Sequence, residues 1–297
     1  MSDPSTIYYP VFGWRRWTEK TTYTAASAHA SYPASNLATL PLSDIWESTS
    51  ITGQYVKGEL DKSRGLRLLL IHRHNFSNDA TFRLRLYSDD AATQADEVYD
   101  SDADADLIGG NDIWPVVYGA ELEWEDDNFI DGKYTEDEKL DTVWPRPIWL
   151  SRVYECLSWR LDFTDAANTD GVFRIGMIDD CQSYQMTRGF SLGTKFGFEQ
   201  RTQTVTAYGG VDYHERLEKK RTVNGNLRFV DRDEALGVFY ELQRQHDLDV
   251  PFAFLMDPYD TKNWLRTCGM YKIAKLTTLT RAHRDYETIQ IALKEAF

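Results

Sequence analysis

The stretch ATFRLRLY, residues 80–87, sets apolar Phe82, Leu84 and Leu86 alternately with Arg83, Arg85 and Tyr87. A period of two gives one dry face and one wet face only on an extended strand. ITGQYVKGEL, RGLRLLLIHRHNF, SWRLDFTDA and GVFRIGMID are further short runs, separated by Gly, Asn and Asp. This spacing predicts a mainly β chain whose first two thirds form a β-sandwich. The most apolar run, Leu66 to Ile71, is interrupted by Arg67 and falls far short of the roughly 18 residues of a spanning helix, so no stable membrane insertion is expected. No G-x-G-x-x-G, Walker loop or regular βαβ alternation occurs, which argues against a doubly wound nucleotide fold.

The chain of 297 residues has a formal charge of −14. Residues 89–141 hold nineteen Asp or Glu against two Lys, a local −17, and the remainder is close to +3. The acidity therefore belongs to one insertion-like loop and is no guide to the whole surface; sequence-specific nucleic-acid binding has no basic patch to support it. Asp100, Asp102, Asp104 and Asp106 recur at every second position, yet Ala105 and Asn111 stand where a calcium loop needs Gly and Glu. A solvated acidic loop is the expectation.

Catalytic and cofactor signatures are absent: no G-x-S-x-G, H-E-x-x-H or kinase set appears. The expectation is a protein that is not an enzyme and takes no metal and no cofactor. His72 and His74, at i and i+2, are a weak metal pair lacking a third ligand. The acid pairs Glu123/Glu125 and Asp126/Asp127 read as a solvated acidic hairpin rather than a glycosidase dyad. Cys156, Cys181 and Cys268 are scattered without a C-x-x-C pair and are read as small core residues. The start, MSDPSTIYYPVFGW, has no secretory pattern, which implies a cytoplasmic site of synthesis. Trp14 and Trp17 bracket two Arg, and Trp144 and Trp149 bracket two Pro. These four are candidates for partner or glycan contact if exposed, or for closing the ends of the sandwich.

Beyond residue 185 the pattern changes. The Gly-punctuated passage from Arg188 to Thr194 suggests a boundary, dividing the chain into 1–190 and 191–297. Strands are expected over 196–207 and 212–229, turning at Gly209–Gly210, with a second turn or bulge at Asn224–Gly225. DRDEALGVFYELQRQHD predicts a helix with an acidic start and an apolar face of Leu236, Phe239, Tyr240 and Leu242. VPFAFLMDP reads as a buried strand, and Ile289, Ile291 and Leu293 alternate with Thr288 and Gln290 in a closing strand.

Two passages carry resemblances. SYPASNLATLPLSDIWEST, with Pro33, Ser35, Asn36, Trp46 and Ser48, resembles the opening of a discoidin-like, galactose-binding-like jelly-roll sandwich. The last 105 or so residues, with Gly225, Leu227 and Phe229 before the helix and Pro251, Phe252 and Phe254 after it, resemble the tail-tube-like, one-helix β domain of tailed-bacteriophage distal tail, baseplate and minor tail proteins. That resemblance implies a structural virion protein of the phage tail, assembled in the host cytoplasm. It implies a homo-oligomeric ring, hexamer or trimer, contacting tail tube, baseplate hub and tape-measure proteins. The mixed-charge stretch with Glu215, Arg216, Lys219, Lys220 and Arg221 is the expected oligomer interface, on a hairpin covered by neighbours. The alternative is a carbohydrate-binding receptor adhesin using the N-terminal sandwich.

Overall fold

The computed structural model describes residues 9–119, 122–139, 144–215, 217–281 and 284–297. The chain divides into two compact units: a sandwich unit of residues 11–185 with 253–269, and a second unit of residues 1–10, 186–252 and 270–297. It is mainly β, as the alternation predicts.

The sandwich unit contains β1 (Val11–Arg16), β2 (Thr22–Ala25), β3 (Trp46–Glu47), β4 (Tyr55–His74), β5 (Thr81–Tyr87), β6 (Glu97–Asp100), β7 (Leu107–Ile108), β8 (Pro145–Thr164) and β9 (Arg174–Gln185). The second unit contributes β10 (Lys195–Glu199), β11 (Gln203–Thr206), β12 (Asp212–Glu215) and β13 (Lys220–Asp231). The chain continues through β14 (Phe252–Leu255), β15 (Gly269–Ile273), β16 (Leu279–Arg281) and β17 (Tyr286–Glu295). Within the sandwich unit the antiparallel order is β14-β1-β9-β4-β8-β5-β6, with β2 on β4, β3 on β9 and β7 on β8.

The two runs expected as separate strands, 51–60 and 64–76, form one strand, β4. Its register against β8 slips by three residues between Glu59 and Arg64 and slips back between Leu66 and Leu68. The second slip sets residues 150–153 opposite Arg67 alone; Leu150 stays in the core and pairs with Leu107 of β7, and Arg67 donates to the carbonyls of Leu150 (2.9 Å) and Ser151 (2.8 Å) there. Gly58 lies under the Trp159 ring, where a Cβ would come within 2.3 Å; no other residue fits. Trp46 and Trp159 are fully buried in a core with Leu66, Leu69, Ile71, Leu161, Phe173 and Ile175, each large side chain contributing roughly 1.5–3 kcal/mol.

VPFAFLMDP is a buried strand as expected, but β14 pairs with β1 through Val11↔Leu255, Phe12↔Phe254 and Gly13↔Ala253. Residues 253–269 thus belong to the sandwich unit although they lie beyond 191 in sequence. Gly13 permits this packing, since a Cβ there would sit 2.5 Å from Cys181 Sγ and 2.9 Å from Ala253 Cβ. Cys156, Cys181 and Cys268 are all buried and form no disulfide.

In the second unit the order is β10-β13-β17-β15, with β16 on β17 and a separate hairpin of β11 and β12 turning at Tyr208–Gly210. Asn224 and Gly225 lie mid-strand, facing Ala292 and Ile291, so they make no turn. The irregularity falls three residues later, between Leu227 and Val230, where Phe229 has a φ of 59°. The helix spans residues 232–246, with a π-helical middle over Ala235–Tyr240. Asp231 caps it by accepting from the Asp233 amide (2.9 Å). Its buried face is Ala235, Val238, Phe239, Leu242 and His246, while Leu236 and Tyr240 are exposed; the face is centred about one position away from the expected one, with small Ala235 and Val238 inside in place of the larger Leu236 and Tyr240. In β17, Ile289, Ile291 and Leu293 face the core as predicted.

Two adjacent acids on β9 are fully buried. Asp179 pairs with Arg16 (2.5 Å) and accepts from Thr18 (2.8 Å). Among the described residues Asp180 pairs with no cation; it accepts from the Thr21 hydroxyl (2.6 Å) and, more weakly, from the Trp159 indole (3.3 Å) and Tyr23 hydroxyl (3.4 Å). Burial, with the Asp179 charge assisting, pushes the Asp180 carboxyl up to about 6. A carboxyl raised on folding stabilises below its ordinary value and loses that contribution as pH rises through the folded value. Thermal melts should therefore show the protein losing stability between about pH 4 and pH 7 by on the order of 2 kcal/mol from this group, and no further loss from it above pH 7. Asp180→Asn should flatten that slope and raise the melting temperature above pH 7; an unchanged slope would count against the assignment.

Candidate functional site

At one end of the sandwich unit, the end of β4, β3 and the start of β9 converge, because Trp46 pairs with Ile175, Glu47 with Arg174, and His74 with Ile175. Arg174 Nε donates to Glu47 Oε2 (2.6 Å) and its Nη1 to Asp170 Oδ2 (2.9 Å). Asn75 braces the group, donating to Asp170 Oδ2 (2.9 Å) while its own Oδ1 accepts from the Arg174 amide (2.8 Å). The hydrogen bond to Glu47, and then the charges of Glu47, Asp170 and Tyr32, hold the Arg174 guanidinium above its ordinary value.

A loop lays two rings beside this cluster. Glu47 N donates to Tyr32 O and His29 N to Glu47 O (2.8 Å), so the loop is clamped to β3. The His29 and Tyr32 rings lie 5.5 Å apart at 33°, and Tyr32 is 39% exposed. Arg174 and Asp170 keep 42% and 46% of their side-chain surface open. The site thus offers an aromatic platform, two carboxylate acceptors and a bidentate donor. Its fixed charges, one Arg against two acids, make it net negative, which disfavours phosphate or carboxylate ligands and suits a neutral polyhydroxyl ring.

The sequence candidates lie elsewhere. Trp14, Trp17 and Trp149 are 8%, 5% and 0% exposed, with Arg15, Arg64 and Arg67 stacked on their rings at 4.0, 5.0 and 4.0 Å. Trp144 is half-buried and stacks on Tyr134 at 5.0 Å. None offers an open face to a sugar or partner; aromatic burial in the sandwich claimed them. Of the expected interface residues, Glu215 and Lys219 are exposed. Lys220 donates to the Ala296 carbonyl (2.8 Å) and Arg221 pairs with Glu295 (2.5 Å), so both are spent within their own sheet. Arg216 lies outside the described residues.

The residues of the SYPASNL…WEST passage are structural. Trp46 is buried and donates to Ser27 O (3.1 Å), Asn36 to Ile45 O (2.9 Å), and Ser48 Oγ accepts from Phe173 N (2.8 Å). Tyr32 and Glu47, which the motif reading passed over, flank those positions.

The buried His74 ring packs on Trp114 (5.1 Å) and is pushed down to about 3 by burial and by the Lys139 and Arg146 charges. Among the described residues no three His, Cys, Asp or Glu side chains are placed to hold a metal. The aspartates of 100–106 are engaged: Asp100 and Asp102 with Arg83, Asp106 with Arg152.

Arg146 is fully buried. It donates to the carbonyls of Asp112 (2.8 Å), Pro147 (2.6 Å) and Gly110 (2.8 Å) and lies over Phe82 and Trp264 at 5.3 and 4.9 Å. Desolvation pushes it down to about 9. With its donors spent on main-chain oxygens it is an anchor for the acidic loop rather than a ligand site.

No protein-family model and no curated protein sequence matches the chain. Among solved structures it is similar to the family 32 carbohydrate-binding module of C. perfringens NanJ, solved with galactose. That match has 11% identity and a TM-score of 0.36, covering 57% of this chain and 98% of that one. A second Clostridium perfringens module, in complex with GalNAc-β-1,3-galactose, matches at 10% identity and TM-score 0.37, covering 56% and 99%. Chitosan-binding module 1 from a Paenibacillus sp. IK-5 chitosanase/glucanase matches at 11% and 0.36, covering 56% and 98%. These likenesses are of β-sandwich chain path, and no binding residue is carried over from them.

Replacing Arg146 by Leu leaves three carbonyls without donors and should cost roughly 2–4 kcal/mol in denaturant unfolding; a loss below about 1 kcal/mol would show that water replaces the guanidinium.

Proposed function

We propose that the protein is a non-enzymatic recognition protein whose sandwich unit binds a neutral carbohydrate at the rim of His29, Tyr32, Glu47, Asp170 and Arg174. The observation that carries this reading is the half-open Tyr32 on a loop clamped by its main chain to Glu47, next to the open Arg174 braced by two carboxylates. A pyranose has one apolar C–H face for the ring and hydroxyls that both donate and accept, matching the two kinds of group present. Galactose and N-acetylgalactosamine glycans, the ligands of two modules named above, head the glycan array that tests it. Tyr32→Ala and Arg174→Ala should each reduce binding at least tenfold, about 1.4 kcal/mol, with melting temperatures little changed. An array without hits, or hits insensitive to both substitutions, would sink the reading.

A second reading is favoured by a separate observation. Every described residue of β11 and β12 is exposed, and Val205, Tyr208, Val211 and Tyr213 are 56–110% exposed. An ordered hairpin with so much apolar surface suits a structural part in an assembly, such as a ring at a bacteriophage tail tip that links to other baseplate or fibre proteins. Mass photometry showing hexamers or trimers, lost on deletion of residues 203–215, together with the protein's presence in purified virions, is the expected result. Its absence from virions would reject this reading.

A further inference from the structure

β10 is an edge strand. Among the described residues it pairs with β13 alone, and the outer side of its ladder carries unpaired backbone groups that natural proteins normally blunt or cover. Its sequence, Lys195-Phe196-Gly197-Phe198-Glu199, blunts that edge only by its shortness and the charges at its two ends, and leaves its centre open. Phe196 and Phe198 are 51% and 68% exposed and, two apart, lie on the same face of the strand.

The five residues are complementary to themselves when one copy runs antiparallel to another. Centring the pairing on Gly197 sets Phe196 opposite Phe198 of a second copy, twice, on one face. On the other face it sets Lys195 opposite Glu199 of the second copy, again twice. The two residues of every such pair lie an even number of positions apart on the strand, so their backbone groups point to the same edge. The antiparallel ladder therefore closes whichever amides face outward. Gly197 sits on the axis, where no side chain obstructs the approach.

We propose that β10 is a two-fold self-pairing edge, and that its occupant is the β10 strand of a second copy of this chain. Charge on the wider surface agrees. The sandwich unit carries 33 acids and 18 bases, whereas the second unit carries 14 acids and 15 bases, so copies repel least through the second unit. Glu199 already pairs with Lys294 at 2.5 Å, with both side chains about 40% open, and in the dimer it stands between two lysines. The contact is isologous, unlike the head-to-tail contacts that close a larger ring, and it is independent of the glycan reading.

The test is a charge swap read by sedimentation equilibrium on the full chain. The wild type should dimerise. Lys195→Glu alone places two acids opposite each other at both ends of the pairing, and Glu199→Lys alone places two lysines there. Each should weaken the dimer about tenfold or more, since opposed like charges are destabilising on a sheet. The double substitution Lys195→Glu/Glu199→Lys should restore the wild-type affinity, and an equimolar mixture of the two single variants should form the heterodimer. Lys195 is exposed, whereas Glu199 is half-buried and paired with Lys294, so circular dichroism and melting curves of every variant, with Lys294→Gln as the control for the lost internal pair, serve as the folding control. A wild type monomeric at every concentration, single variants that dimerise as well as wild type, or a mixture that fails to recover the dimer would each overturn the proposal. A ring indifferent to the swaps would overturn it too. A blank glycan array leaves these outcomes unchanged, so the two ideas fail separately.

Discussion

The ladder between β4 and β8 is the constraint on which the sandwich unit depends. Its register slips by three residues and then recovers them, so the two ends of the ladder are in phase although the middle is not. A single uncorrected slip of an odd number would turn every side chain beyond it to the other face. Across the two slips the core-facing side chains of β4 change from even-numbered Val56 and Leu60 to odd-numbered Leu69 and Ile71, so the irregular stretch is what keeps both ends in the same core. Setting residues 150–153 opposite Arg67 alone would strand carbonyls, and the Arg67 guanidinium supplies the missing donors while stacking on Trp149. One arginine thus secures both the bulge and the aromatic beneath it. Because β9 is zipped to the far half of β4 through Leu68↔Cys181 to His74↔Ile175, the same register delivers Arg174 and Asn75 to one rim.

How far this was legible from the sequence depended on whether a property was local. Strand alternation in β5 and β17, the acidic start of the helix and the Gly209–Gly210 turn are set by neighbours in sequence, and these were readable. The pairing of β14 with β1 joins residues some 240 apart, and its enabling feature, the missing Cβ of Gly13, carries no periodic signal. The helix face was only partly readable, because large Leu236 and Tyr240 outweigh small Ala235 and Val238 in a hydrophobic pattern, while the buried positions keep ordinary helical spacing. The tryptophans left two readings open for another reason. Trp next to Arg reads equally as an exposed recognition pair or as a buried ring with a guanidinium on it, and the structure realises the second at Trp14, Trp17 and Trp149.

The rim cluster shows the same limit from the other side. His29, Tyr32, Glu47, Asp170 and Arg174 come from two segments more than 120 residues apart, and no spacing rule joins them. Each also has an ordinary local explanation, since Arg174 with Asp170 is an i, i+4 ion pair on its own. Only the short β3 pairing of Glu47 with Arg174 turns a surface ion pair into an open, braced triad beside a ring. A residue's chemistry can be read from the chain, but which neighbours it is given is a consequence of register.

The uneven charge has a physical consequence for how such a chain can meet other molecules. The acidic loop is not a diffuse coat: Arg83, Arg152 and the Ser151 and Tyr154 hydroxyls tie its aspartates down, and Arg146 fastens its far end from below. The remaining acids keep the sandwich unit strongly negative, which opposes contact between two copies there and leaves the balanced second unit as the side of closest approach. A shallow rim with one half-exposed tyrosine can give only modest affinity for a single sugar, because little of the ligand is taken from water. Joining two chains through an edge strand changes that limit without changing the rim, since the second binding event becomes intramolecular when both sites can reach one glycan surface. If both proposals hold, the edge strand β10 would set the strength of glycan recognition and the proposed rim its specificity.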